Sequence, residues 1–202
     1  MLRQFLTIVL MFMFGQVQAN SILVWGDSLS AGYGLERGED WPALLQQRLQ
    51  AEAHPHQVIN GSVSGETSAG GRSRLPAALS AHSPSIVILE LGANDGLRGL
   101  PPAQMAANLN AMIDAAQAAG ARVLLVGMQI PPNYGPIYTR RFSEVFSELA
   151  TARQLAFVPF LLEGFATDAS QFLDDGLHPT AAAQHKVLDT VWQGLQPLLV
   201  QP

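Results

Sequence analysis

Short apolar runs alternate with longer segments of helical periodicity along most of the chain. The clearest run is 85–91, Ser-Ile-Val-Ile-Leu-Glu-Leu, whose β-branched residues are typical of a buried strand. Four further runs are predicted as strands: 22–25, 57–60, 122–127 and 156–158. Continuous apolar runs, rather than alternating ones, favour a parallel sheet that is covered on both faces.

Amphipathic segments lie between these runs. Asp40 can cap the first of them, in which apolar residues recur at helical spacing. Helices are predicted over 41–52, around Leu75 and Leu79 up to Pro84, from Pro101 to Gly120, over 139–154, and after Thr180 to about Leu199. The segment 61–71 is rich in Gly and Ser and is predicted as a loop. This alternation indicates an α/β fold, but it does not determine the strand order.

The first nineteen residues differ from the rest of the chain. Arg3 is followed by residues 5–14, which are apolar apart from Thr7, and residues 17–19, Val-Gln-Ala, precede a plausible cleavage point. We predict a secretory signal peptide over 1–19 and one domain over 20–202. The apolar run is too short to span a bilayer, so we expect no stable membrane anchor, with an uncleaved anchor as the alternative.

Charge and composition exclude several classes of function. Without Arg3, 10 of the 11 basic residues remain against 16 acidic ones, which gives a net charge of −6. This balance argues against a nucleic-acid surface and against a basic membrane-binding patch. The chain has no cysteine, which excludes disulfides, thiolate catalysis and cysteine-ligated zinc. The length after the leader suits one domain with one core.

The run 22–25 leads directly into Gly26, Asp27 and Ser28. Gly26 permits a sharp exit from the strand because it has no Cβ. Ser28 then lies at the carboxyl edge of the sheet, where open α/β folds bind their ligands. Ser28 is therefore a candidate nucleophile. The alternative is a capped turn that carries no chemistry.

Asp175 and His178 are three residues apart across a glycine turn, so their side chains can meet. A carboxylate on one imidazole nitrogen orients the ring and leaves the other nitrogen free to take a proton from a hydroxyl. A serine needs such a base to attack a carbonyl, and Ser28 could provide that serine. A chance pairing in a solvated turn is the alternative. The other histidines lack a comparable partner and are predicted to lie at the surface: His54, His56, His82 and His185.

Two further loops follow predicted strands. Asn94 comes soon after the strand 85–91, where its amide could donate to a developing oxyanion. Gly65 lies in the loop after the strand 57–60, where a glycine N–H can approach a ligand closely. Either residue could instead serve only to shape its turn.

Taken together, these stretches resemble the SGNH (GDSL) hydrolases. Four motifs occur in the family's order: Gly-Asp-Ser-Leu-Ser at 26–30, Ser-Gly-Glu-Thr-Ser at 64–68, Gly-Ala-Asn-Asp at 92–95 and Asp-Gly-Leu-His-Pro at 175–179. The resemblance covers about 22–199. Within the family the chain is most similar to the bacterial periplasmic thioesterase I/lysophospholipase/arylesterase group. Ala93 departs from that group, which usually has glycine there.

The resemblance implies a flavodoxin-like three-layer α/β/α sandwich with a five-stranded parallel sheet. It implies Ser28 as nucleophile, His178 as general base and Asp175 as the residue that orients it. The implied oxyanion hole consists of the Ser28 and Gly65 N–H groups and the Asn94 amide. The positions that match the family's acyl groove and its covering loop are Gly96, Leu97, Leu100 and Ile130.

The expected function is that of a serine esterase of broad specificity that acts on small acyl esters or thioesters, in the periplasm and without a metal or organic cofactor. We expect a monomer that binds no nucleic acid. A carbohydrate acetyl-esterase on the same fold is one alternative, although the apolar groove argues for longer acyl chains. A non-catalytic acyl-binding module is another, and it would predict a broken triad.

Overall fold

Five parallel strands form the centre of the computed structural model, which describes residues 20–200. The strands are Ser21–Gly26 (β1), Gln57–Asn60 (β2), Ile86–Glu90 (β3), Arg122–Val126 (β4) and Ala156–Val158 (β5). The helices are Ser28–Ala31 (α1), Trp41–Ala51 (α2), Ser68–His82 (α3), Ala93–Leu97 (α4), Pro102–Ala118 (α5), Pro136–Arg153 (α6) and Gln184–Leu199 (α7). Short 3₁₀ turns lie at Pro132–Tyr134, Ala169–Gln171 and Ala181–Ala183.

The strand order is β2-β1-β3-β4-β5, with every neighbouring pair parallel. The predicted five-stranded parallel sheet is therefore confirmed, and its order is the flavodoxin-like one. In this order the chain runs outward from β1 in one direction and from β3 in the other. The carboxyl ends of β1 and β3 consequently form the crevice where such folds bind ligands.

Helices cover both faces of the sheet. Helix α2 packs against α7, whereas α3, α5 and α6 pack side by side. Every residue of β1 and of β3 is buried, as expected for central strands covered on both faces. The apolar runs recognised in the sequence thus form the middle of one continuous core. Burial of apolar area in this core is the main stabilising contribution, since the chain has no disulfide.

Helix α2 begins as its sequence predicts. The Asp40 side chain accepts a hydrogen bond from the Ala43 N–H at 3.0 Å and so satisfies one of the free donors of the first turn. Helix α6 begins at Pro136, three residues before the predicted start at Thr139. Proline is well suited to a first helical turn, because its missing N–H would be unpaired there anyway.

The prediction of a loop over 61–71 is wrong for its last four residues, because helix α3 already begins at Ser68. Thr67 caps it through a side-chain bond to the Gly70 N–H. A Cβ at Gly71 would collide with the Leu91 side chain. The glycine at this position therefore allows α3 to pack closely on the sheet, although in the sequence it is typical of a loop.

The surface prediction for His56 is also wrong, since only 4% of this residue is exposed. His56 precedes β2, and its carbonyl accepts a bond from Gln46 of the overlying helix α2 at 3.4 Å. Helix α2 therefore packs over the entry to β2. Burial lowers the pKa of His56 below its usual value of 6.5 and favours the neutral ring.

Between residues 20 and 200, no helix combines the length and the apolarity that crossing a bilayer requires. The signal peptide predicted over 1–19 lies outside the described residues.

Candidate active site

Ser28 is the first residue of α1, directly beyond the carboxyl end of β1. Asp27 caps this short helix by accepting a bond from the Leu29 N–H at 3.1 Å. Gly26 is required because a Cβ there would lie 2.5 Å from the Glu90 carboxyl oxygen and 2.9 Å from the Glu90 carbonyl oxygen. The close approach of β1 and β3 at this point thus determines where the serine leaves the sheet.

A continuous line of hydrogen bonds joins Ser28, His178 and Asp175. The Ser28 Oγ lies 2.8 Å from His178 Nε2, and His178 Nδ1 lies 2.7 Å from Asp175 Oδ2. The serine and the histidine are 150 positions apart in the chain. The fold therefore brings together two of the stretches in which the sequence indicated chemistry.

The turn that carries His178 also fixes Asp175. Asp175 Oδ1 accepts bonds from the His178 N–H at 3.0 Å and from the Leu177 N–H at 2.8 Å. Gly176 has a φ of +65°, which a glycine adopts without strain. The backbone N–H of His178, more than any other contact, lowers the pKa of Asp175 to about 2. Asp175 is therefore an anion throughout the neutral pH range.

The ionised Asp175 determines the tautomer of His178. A carboxylate can only accept, so His178 Nδ1 must carry the proton of their shared bond. In the neutral ring Nε2 is then an unprotonated acceptor directed at the Ser28 hydroxyl. This geometry suits a base that takes the serine proton. The Tyr33 ring lies against the imidazole with a centroid distance of 4.4 Å and restricts its movement.

Asn94 and Gly65 belong to the segments that follow β3 and β2, the two neighbours of β1 in the sheet. Asn94, in α4, donates one amide N–H to Asp27 Oδ2 at 3.0 Å, which leaves its second N–H available. Gly65 follows β2 and has a φ of +77°, a conformation that favours glycine. The loop of Gly65 is held at the end of β1 by a bond from the Val63 N–H to the Gly26 carbonyl at 3.1 Å.

Two buried carboxyl groups lie beneath the nucleophile. Glu90 accepts bonds from the Ser30 hydroxyl at 2.6 Å and from the Asp27 N–H at 3.4 Å. Burial raises the pKa of Asp27 to about 6 and that of Glu90 well above its usual value. The folded state therefore holds protons that the unfolded chain has released, so the stability contributed by this pair falls as pH rises above the ordinary carboxyl range.

A cavity of about 400 Å³ opens beside Ser28. Its walls come mainly from apolar residues that follow β3, β4 and β5, and from the 172–178 segment. Of the predicted site residues, five line it: Ser28, Asn94, Leu97, Ile130 and His178. Asp175 lies behind the histidine, and Gly65 is exposed on the loop after β2.

Gly96 and Leu100, predicted to bind substrate, do not line this cavity. A Cβ at Gly96 would lie 2.6 Å from Ile130 and 2.7 Å from Phe142, so this glycine permits close packing behind the cavity wall. Leu100 is 38% exposed, and its carbonyl accepts a bond from the Tyr138 hydroxyl at 2.7 Å. Tyr134 binds the Leu97 carbonyl at 2.9 Å in the same way, so two tyrosines hold the 96–100 segment in place.

Several cavity residues have no counterpart among the sequence predictions. Met128 and Phe160 follow β4 and β5, and Phe172 and Leu177 belong to the segment before His178. The rule that ligands bind at the carboxyl edge would have found the first two, since each comes two residues after its strand. The sequence does not distinguish Tyr33 from an ordinary turn residue. Nor does it distinguish the buried Asp27–Glu90 pair from polar residues at strand ends.

Between residues 20 and 200, no group of three or more His, Cys, Asp or Glu side chains is arranged to hold a metal ion.

The fold and the hydrogen-bonded line of Ser28, His178 and Asp175 define a serine hydrolase. Residues 24–186 match the model of the GDSL-like Lipase/Acylhydrolase family. The chain belongs to this family, which confirms the resemblance seen in its motifs.

Curated relatives and solved structures cover nearly the whole chain. Esterase TesA of Pseudomonas aeruginosa is 50% identical over 91% of this chain and 92% of its own length. Thioesterase 1/protease 1/lysophospholipase L1 of Escherichia coli K12 is 40% identical over 96% of this chain and 92% of its own length. A crystal structure of TesA superposes with a TM-score of 0.86 at 50% identity, and covers 88% of this chain and 99% of the solved one.

The psychrotrophic esterase EstA from Pseudoalteromonas sp., solved in a form inhibited by monoethylphosphonate, is 40% identical. It superposes with a TM-score of 0.85 over 89% of this chain and 98% of its own. These similarities, together with the fold and the site, identify the chain as an esterase with a flavodoxin-like fold.

Proposed function

We propose that the chain hydrolyses carboxylic esters and thioesters through an acyl-enzyme formed on Ser28. The observation that supports this most directly is the unbroken Ser28–His178–Asp175 hydrogen-bonded line at the mouth of an apolar cavity. A serine is a weak nucleophile unless an adjacent base removes its proton, and the His178 Nε2 is placed to do so.

In the proposed first half-reaction, the Ser28 Oγ attacks the acyl carbon while its proton moves to His178 Nε2. The tetrahedral intermediate collapses when His178 returns this proton to the leaving alcohol or thiol, and the acyl group stays on Ser28. In the second half, water attacks the acyl-enzyme and gives its proton to His178. His178 then reprotonates Ser28 as the acid leaves. Asp175 stays ionised and stabilises the imidazolium formed in each half.

The developing oxyanion would be held by the backbone N–H groups of Ser28 and Gly65 and by the free N–H of Asn94. These donors come from the segments that follow the three neighbouring strands β1, β2 and β3. Donors that are fixed before the reaction stabilise new charge without the cost of reorganising solvent.

Replacing Asn94 with alanine should lower kcat by about 10²–10³, the usual effect of losing one oxyanion donor. KM should change little, because the bond forms mainly in the transition state. Steady-state kinetics on p-nitrophenyl acetate measures both values. Asn110→Ala, at a helical residue bonded to Asp114 and Arg153, serves as the control. A change in KM with kcat unaltered would assign Asn94 to ground-state binding instead.

The acyl side of the substrate is proposed to enter the cavity. Its lining is mostly apolar and its volume, about 400 Å³, is far larger than an acetyl group needs. Relatives are named arylesterase in Vibrio mimicus and thioesterase and lysophospholipase in Escherichia coli. We therefore propose aryl esters, acyl thioesters and lysophospholipids as substrates, ahead of an acetylated carbohydrate. A panel of these three classes, assayed with the purified protein, tests the assignment.

Shortening Ile130 to alanine should weaken hydrolysis of long acyl chains more than short ones. Ile130 is buried in the cavity wall, and each methylene contact is worth about 0.8 kcal/mol. Loss of two such contacts would lower kcat/KM for p-nitrophenyl octanoate about tenfold relative to the acetate.

The matched control for this series is Ile137→Ala, at an isoleucine that is 73% exposed on α6 and outside the cavity. It should leave the ratio of the two substrates as in the wild type. Equal losses on acetate, octanoate and palmitate in Ile130→Ala would show that this residue does not contact the acyl chain.

Export to the periplasm and a monomeric state complete the proposal. The charged and apolar pattern of residues 1–19 supports export, and N-terminal sequencing of periplasmic protein should begin near Asn20. Recovery of a chain that starts at Met1 in the membrane fraction would overturn it.

A further inference from the structure

A buried carboxylate next to Asn94 joins two of the loops at the site. Asp95 is only 2% exposed, and both of its oxygens contact one residue, Ser68, the first residue of α3. Asp95 Oδ2 accepts the Ser68 N–H at 2.7 Å, and Oδ1 accepts the Ser68 hydroxyl at 2.6 Å. This is a two-point connection between α4 and the start of α3.

The connection continues outward from Ser68. The Ser68 hydroxyl, itself fully buried, accepts a bond from Asn108 Nδ2 at 3.0 Å, and Asn108 in turn accepts one from Arg72 at 3.2 Å. The carboxylate therefore has short partners on both oxygens, and the hydroxyl uses both its donor and an acceptor position. A buried network in which every group is paired fixes the relative position of α3, α4 and α5. Any displacement would leave a buried polar group without a hydrogen-bond partner.

The position of this network in the chain is what gives it a function. Asp95 follows Asn94 directly, and Ser68 comes three residues after Gly65. A second, exposed bond joins the same two segments, from Arg98 to the Gly65 carbonyl at 2.9 Å. The two proposed oxyanion donors that lie outside the serine loop thus belong to segments that Asp95 and Ser68 fasten together.

We propose that Asp95 and Ser68 are positioning residues that set the separation between the Gly65 N–H and the Asn94 amide, so that both reach one oxyanion. This inference rests on the proposed function of the site. Neither residue needs to touch substrate, and neither lines the cavity. Their effect is exerted through the two donors, and so it should appear in the transition state rather than in the binding of the ester.

The test is a double-mutant cycle between Ser68→Ala and Asn94→Ala. A displacement of catalytic groups by about 1 Å can cost about 10²-fold, so Ser68→Ala alone should lower kcat by about 10- to 100-fold with KM nearly unchanged. Once the Asn94 amide is gone, its misplacement no longer matters, and the Gly65 loop is still held at the end of β1 by the bond from the Val63 N–H to the Gly26 carbonyl. The Ser68→Ala/Asn94→Ala double variant should therefore be only slightly slower than Asn94→Ala, far less than the product of the two single losses.

Ser21→Ala provides the matched control. Ser21 is a buried serine at the opposite end of β1, whose hydroxyl binds the His82 carbonyl at 3.5 Å. It should lower the melting temperature without changing kcat, and its effect should be independent of Asn94→Ala. If Ser68→Ala does not fold, Asp95→Asn takes its place in the cycle with Asn94→Ala, because it keeps the shape of the side chain.

A kcat within twofold of the wild type in Ser68→Ala, a change confined to KM, or losses that multiply in the double variant would each overturn the inference. The failure of the proposed function looks different. In that case Asn94→Ala alone would already show no loss of kcat.

Discussion

Ser28→Ala should lower kcat for ester hydrolysis by about 10⁶, the scale found when a serine nucleophile is removed from a triad. The physical reason is that alanine has no atom that can bond to the acyl carbon, so the acyl-enzyme cannot form. Any residual rate would come from the oxyanion donors acting on a bound ester and water. Steady-state kinetics on p-nitrophenyl butyrate, with the circular dichroism spectrum of the same sample, measures the effect.

The control for this variant is Ser80→Ala, at an exposed serine on α3 that is remote from the cavity lining. Its kcat should match the wild type. A folded Ser28→Ala protein with more than a tenth of the wild-type kcat would show that the nucleophile is another group. Because the volume change is small and Ser28 is partly exposed, we expect the Ser28→Ala variant to fold.

His178→Ala should lower kcat almost as much, by about 10⁵–10⁶, because the serine and its base act as a unit. Among residues 20–200, the Ser28 hydroxyl has a hydrogen-bond partner only in His178, so removal of the imidazole leaves it without a base. Added imidazole should restore part of the activity, because a small base can occupy the space that the side chain leaves.

His185→Ala, at an exposed histidine of α7, is the matched control and should retain wild-type kcat. A His178→Ala protein that loses less than tenfold would exclude His178 as the general base. If the loss is large but imidazole does not rescue it, the Asp175→Asn variant provides the second test of the base. Its kcat should also be strongly lowered.

The central strands could be predicted from the sequence because burial on both faces leaves continuous apolar runs in β1 and β3. Ser28 and Asn94 could be predicted for a related reason: polar residues beyond such strands lie at the carboxyl edge of the sheet. His178 could be predicted from its spacing to Asp175 across a glycine turn. The strand order could not be predicted, because the apolar pattern of a strand does not record its neighbours.

The errors have one physical origin, which is packing that a local pattern cannot express. Gly71 is a glycine because α3 lies close to Leu91, and Gly96 because Ile130 and Phe142 occupy the space of a side chain. His56 is buried although its own segment has no apolar pattern that indicates burial. The same limit hid Tyr33 and Ser68, whose partners His178 and Asp95 are distant in the sequence.

The proposed acyl-enzyme is a covalent bond at Ser28, and labelling with a fluorophosphonate probe tests for a reactive Ser28 most directly. The phosphorus atom of the probe would bond to the Ser28 Oγ with loss of fluoride, and peptide mass spectrometry would locate the adduct. We predict one adduct per chain, on the peptide that contains Ser28, and none in Ser28→Ala. An unlabelled wild-type protein that still hydrolyses esters, or an adduct on any other residue, would contradict the account.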